Sequence, residues 1–109
     1  MNPHLEKARL LYRQERFSLA EQELMQALAV EPQNADCFSL LALCRGKQKD
    51  IRGALARIKT AIGFEPDAAY YHYLQSIIRS WGRNIPGAIE SITEAIRLDP
   101  YNADYYSLM

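Results

Sequence analysis

The sequence carries no net charge, only two cysteines, a single tryptophan and no long apolar run. Each shortage excludes something. Thirteen basic residues balance thirteen acidic ones, so no excess of one sign points to nucleic acid or an anionic membrane as partner. No apolar stretch nears the ~20 residues of a membrane-spanning helix. Residues 1–9 carry charges where a secretion signal would place its apolar run. These absences lead us to expect a cytoplasmic protein. Cys37 and Cys44 stand seven positions apart. On one helix they share a face at a separation of roughly 10 Å along the axis, beyond the ~7 Å reach of a disulfide. They read as buried thiols packing like small apolar groups; a redox pair would require the helix to unwind. No cysteine–histidine metal spacing occurs, and Gly82 and Gly87 flank a turn rather than form a phosphate loop. No metal, no cofactor and no enzymatic activity are expected.

What the chain does have is ordinary globular composition, 49% apolar and 24% charged, which argues against disorder. It also has a period. Pro32, Pro66 and Pro100 are 34 residues apart. The same step relates Ala20, Ala54 and Ala88; Ala27, Ala61 and Ala95; Leu24, Ile58 and Ile92; Leu28, Ile62 and Ile96; and Phe17, Ile51 and Ile85. Glu31, Glu65 and Asp99 each precede one of the prolines. The units run 1–34, 35–68 and 69–102, and a fourth begins at Ala103.

Within each unit the second half puts its apolar residues at helical i, i+3, i+4, i+7 spacing, a single buried stripe. The two alanine columns let helices approach closely. The acidic–Pro pair ends the helix, because proline cannot continue an interior turn. The first halves are helical too, through Leu5, Ala8, Leu11 and Tyr12, then Phe38, Leu41 and Ala42, then Tyr70, Tyr73, Leu74 and Ile77. The expected helices are roughly 3–15, 18–31, 35–48, 52–64, 69–82 and 86–98, with a start at 103. Loops of two to four residues force antiparallel neighbours.

These columns make the chain resemble the tetratricopeptide repeat family. The second-helix half fits that family's pattern in all three units. The first-helix half fits less well: Leu41 keeps the family's Leu but Lys7 and Gln75 replace it, and Leu11, Arg45 and Arg79 stand in place of Tyr. The resemblance implies an all-α fold, a right-handed superhelical solenoid of antiparallel helix pairs, and a protein–protein interaction module acting as scaffold or adaptor. It further implies a concave groove lined by first helices. In this sequence the groove positions give Leu5, Arg9, Tyr12 and Arg13, then Leu43 and Lys47, then Tyr70, Tyr73, Ile77 and Trp81. Arg9, Arg13 and Lys47 form a basic strip beside an aromatic and aliphatic floor, and exposed Tyr and Trp are favoured anchors for a partner. The family's clamp for a terminal carboxylate is not expected, because Leu5, Arg9 and Leu40 stand where it needs Lys or Asn. A peptide or helix with apolar anchors suits the groove better.

His4 and His72 fall at one register two units apart, on the order of 20 Å given ~9 Å between packed helices, too far to share a metal. They read as packing residues. Glu21, Glu23, Glu90 and Glu94 read as solvated helix surface, with Arg97 relieving the last pair. The middle unit holds six basic residues against four acidic, which suits an acidic partner or a solvated face; nucleic acid is not expected from so few. The end, with Tyr105, Tyr106, Leu108 and Met109, is apolar where a terminal repeat needs a polar cap. It could begin a longer array, fold back on the third unit, or dock on a second copy and build an oligomer. We expect the last.

Overall fold

In the computed structural model, residues 2–108 are described, and they are helical without a strand among them. Six helices of three to four turns are followed by a short seventh: α1 Pro3–Arg13, α2 Phe17–Val30, α3 Ala35–Lys47, α4 Ile51–Phe64, α5 Ala69–Trp81, α6 Ile85–Leu98 and α7 Ala103–Tyr106. Consecutive helices pair as hairpins, and the first helices α1, α3 and α5 are also neighbours.

Local chemistry sets the boundaries. Asn2, Asn34 and Asn102 precede α1, α3 and α7 and accept a hydrogen bond from the first-turn amides of His4, Cys37 and Asp104. Asp50 and Asn84 cap α4 and α6 through the amides of Gly53 and Gly87. The second helices begin one residue earlier than the periodicity predicts, at Phe17, Ile51 and Ile85. The first helices correspondingly end one or two residues earlier, at Arg13, Lys47 and Trp81. The cause is a left-handed residue at one register in every hairpin: Glu15, Lys49 and Arg83, with φ of 61°, 68° and 63°. Each closes a six-to-one capping turn, in which the amides of Arg16, Asp50 and Asn84 donate to the carbonyls of Leu11, Arg45 and Arg79 at 2.9 Å.

The alanine columns do what their size permits. Ala20, Ala27, Ala54, Ala61 and Ala95 are fully buried. Around them lie three clusters. The first holds Leu5, Ala8, Leu24, Cys37, Leu41 and Cys44. The second holds Ala42, Ile58, Tyr71, Leu74 and Ile78. The third holds Ile92, Ala95 and Tyr105. Each cluster joins one hairpin to the first helix of the next, so the stack is held by nearest-neighbour interfaces.

Several residues of the first-helix half are polar for a structural reason. Arg45 reaches Glu21 at 3.2 Å and Asp50 at 3.7 Å. Arg79 Nη1 donates to the Gly87 carbonyl at 3.1 Å and to Ser91 Oγ at 2.8 Å. Glu21 and Glu23, expected to be solvated, have side chains only 15% and 17% exposed. Glu23 receives His4 Nδ1 at 2.9 Å and Lys7 Nζ at 3.2 Å, and the hydrogen bond to His4 followed by that to Lys7 holds its carboxyl below the usual range. His4 is therefore a hydrogen-bond partner of Glu23 rather than a packing residue. His72 Nε2 lies 2.9 Å from the Pro66 carbonyl oxygen. Arg97 grips Glu94 at 2.6 Å, as the helical spacing predicts.

Candidate functional site

The first helices meet along one face. There, Arg9, Tyr12 and Arg13 of α1, Leu40 and Leu43 of α3 and Tyr70 of α5 surround an open depression of about 270 Å³. Spacing along each helix explains the set, because residues three and four apart share a face. Tyr12 is braced edge-on by Phe17, with ring centroids 5.5 Å apart. Tyr70 is about half exposed and stands 6.1 Å from Tyr73, which in turn stacks at 5.0 Å on Tyr105. Burial pushes the phenols of Tyr12 and Tyr70 upward, so both stay neutral around pH 7.

The charges on this face are unequal. Asp36 is occupied: Tyr71 Oη donates to its carboxylate at 2.5 Å, and Arg9 approaches it at 3.7 Å and Glu6 at 3.6 Å. Arg13 makes no salt bridge among the described residues, and Lys47 holds its ammonium 5.0 Å from the Trp81 ring centroid.

The residues expected to share one groove are in fact distributed. Arg9, Tyr12, Arg13, Leu43 and Tyr70 come together in the first depression. Ile77 and Trp81 line a second, of about 290 Å³, with Ser76, Ser80, Ile85, Ala88, Ile89 and Leu108. Lys47 links the two through its contact with Trp81. Tyr73 is half covered by Tyr105. Leu5 does not line the face; it is buried in the first core cluster, because α1 packs that register onto α2 and α3.

The tail, through α7, packs against its own third hairpin. Tyr105, expected to dock on a neighbouring copy, is only 4% exposed and packs on Ile92, Ala95 and Tyr73. Tyr106 is half exposed and donates to the Pro100 carbonyl at 2.8 Å, and Leu108 remains exposed beside Trp81. Met109 lies outside the described residues.

Sequence reasoning missed Leu40 as a wall of the first depression, and Ile85, Ala88 and Ile89 as walls of the second. The repeat held a signal for the latter. Ala20 and Ala54 are fully buried, whereas Ala88, at the same register, is only half buried.

No group of His, Cys, Asp or Glu among the described residues is arranged to hold a metal ion. Among them, too, no helix is long and apolar enough to cross a membrane. Both cysteine thiols are buried; burial, reinforced by nearby carboxylates, pushes Cys37 to about 11 and Cys44 to about 12, far from a reactive thiolate.

A profile of the tetratricopeptide repeat family matches residues 11–78, more than half of the chain. No curated protein matches the sequence. Among solved structures, a mutant of the Thermobaculum terrenum O-GlcNAc transferase superimposes with a TM-score of 0.87 at 23% identity, over 95% of this chain and 20% of that one. The first tetratricopeptide domain of Spaghetti (RPAP3), bound to the HSP90 peptide SRMEEVD, gives 0.85 at 14% identity, over 95% of this chain and 82% of that one. The MamA RS-1 ArsTM double mutant gives 0.78 at 20% identity, over 89% and 55%. This chain thus spans about a fifth of the transferase chain and about half of the MamA chain. At these identities the likeness concerns the fold.

Proposed function

The chain belongs to the tetratricopeptide repeat family, and on that premise we propose that the face formed by α1, α3 and α5 binds a peptide or helix of a partner protein through an apolar anchor. Tetratricopeptide stacks are in general protein-interaction modules and not catalysts. We read residues 1–102 as three repeats and the residues from 103 as a partial fourth first helix.

One observation carries this reading: three successive first helices contribute to one depression with aromatic and aliphatic walls at Tyr12, Leu40, Leu43 and Tyr70. Its volume of about 270 Å³ lies at the low edge of metabolite pockets, and it is open. It suits an anchoring side chain from a larger partner, with Tyr70 offering contact area at small rotamer cost.

The test uses peptides selected on the full chain from a random display library. Titrated into isotope-labelled protein, they should shift amides of α1, α3 and α5. Tyr70→Ala should weaken binding about ten-fold with helicity unchanged. Shifts confined to α2, α4 and α6 would remove the reading.

A second reading is self-assembly, favoured by the exposed apolar cluster of Ile85, Ile89 and Leu108 around Trp81. Light scattering behind size-exclusion chromatography tests it. A dimer or larger species that Ile89→Glu converts to monomer supports assembly through this cluster, and a monomeric parent chain removes it.

A further inference from the structure

Resting on the reading just given, the charge layout of the same face points to the chemistry of the partner: we propose that the segment bound there is acidic, placing one apolar side chain between Tyr12, Leu43 and Tyr70 and carboxylates on Arg13 and Lys47.

The chain as a whole is neutral, with thirteen charges of each sign. Around the first-helix face the balance is broken. Arg9 is engaged by Glu6 and Asp36, and Asp36 is itself engaged by Tyr71. Arg13 and Lys47 have no carboxylate partner among the described residues. Both lie in the last turn of their helices, where a cation is favourable beside the helix dipole without losing its capacity to bind an anion.

The two cations occupy the same register in adjacent hairpins. Packed first helices therefore set them roughly 9 Å apart. Carboxylates three residues apart on a polyproline II segment lie on one face and span about 9 Å, which matches that separation. Between the cations and the pocket floor the distance is short, because Arg13 lies one residue from Tyr12 and Lys47 lies one helical turn from Leu43. Apolar contact gives the anchor, and charge selects among segments that carry one. The Trp81 ring presents its face to Lys47, which keeps the ammonium at the rim of the groove rather than loose in solvent.

The experiment compares three libraries of short peptides with the same central Leu or Phe. Their flanks are drawn from Asp, Glu and Ser, from Ser, Asn and Gln, or from Lys, Arg and Ser. Each is passed over the immobilised full chain. The acidic library should be retained about ten-fold better than the neutral one, and the advantage should shrink as salt is raised. The double variant Arg13→Glu with Lys47→Glu should lose that preference and favour the basic library. The control Arg52→Glu with Lys59→Glu alters net charge equally on the second helix α4 and should keep the acidic preference. Circular dichroism establishes that the variants are folded; should the reversal not fold, Arg13→Gln alone, with the control, decides the point through its salt dependence. Equal retention of acidic and neutral libraries, or equal loss in the control variant, overturns the acidic partner and leaves the apolar-anchor reading standing. Retention of none of the three overturns both.

Discussion

The ring of Trp81 packs directly on Gly46: a β-carbon at that glycine would stand 2.6 Å from both Cε3 and Cζ3 of the indole. The missing side chain is what lets α5 bring its tryptophan against α3, with Lys47 over the ring on the next residue. Trp81 is the single tryptophan, so all tryptophan emission comes from this ring. Gly46→Ala should displace the ring, shift its emission and destabilise the fold by about 1–3 kcal/mol, as overpacking does. Unchanged emission and unchanged urea unfolding would show that the ring has room to move.

Tyr71 and Asp36 are joined across the second and third hairpins by a hydrogen bond of 2.5 Å, with Tyr71 only 5% exposed. Burial, and then the bond to Asp36, hold this phenol well above its ordinary range. Tyr71→Phe should cost about 1.5–3 kcal/mol, the range for hydrogen bonds to charged groups. In the background of Asp36→Asn the cost should be smaller, and a double-mutant cycle on urea midpoints measures the difference. Additive effects would mean that the bond contributes nothing.

Cys37 and Cys44 ionise at about 11 and about 12 against an ordinary value of 9.0, first because they are buried and then because Glu31 and Asp36 lie near the former and Glu21 near the latter. In the unfolded chain the thiols ionise more easily, so proton loss favours unfolding. The linked stability is whole below pH 9 and is lost as pH rises through 11 to 12. The urea midpoint should therefore fall over that window, and Cys37→Ala with Cys44→Ala should flatten the fall. A slope identical in the variant would assign the alkaline loss to other groups.

Glu15, Lys49 and Arg83 hold left-handed backbone without being glycine. Such a conformation costs an L-residue roughly 1–2 kcal/mol, part of which glycine returns through its greater freedom when unfolded. Lys49→Gly should stabilise the chain by about 0.5–1 kcal/mol in urea unfolding. Destabilisation would indicate that the Lys49 side chain makes a contribution beyond its backbone.

Much of this architecture is legible from spacing. Pro32, Pro66 and Pro100 mark where the second helices end, and Ala27, Ala61 and Ala95 mark where helices touch. The helix starts at Phe17, Ile51 and Ile85 were less legible, because turns built on Glu15, Lys49 and Arg83 lack the glycine that usually marks them. The site was legible as residue types but not as a surface. Leu5 and Tyr70 hold equally good groove positions in the repeat pattern, yet one is in the core and the other half exposed. Glu21 and Glu23 look like surface on their own helix and become ion-pair centres only when α1 and α3 arrive beside them.

The sequence by itself determined the all-α class, the helix pairs and their 34-residue step, because hydrophobic period, alanine size and proline chemistry are local properties. Only the tertiary structure decided that Tyr105 turns inward, that Trp81 sits on Gly46, and that Arg13 stands beside a depression built from three helices. Those outcomes depend on which surfaces of neighbouring hairpins meet, and a one-dimensional period carries the register of those surfaces but not what each side chain finds across the interface.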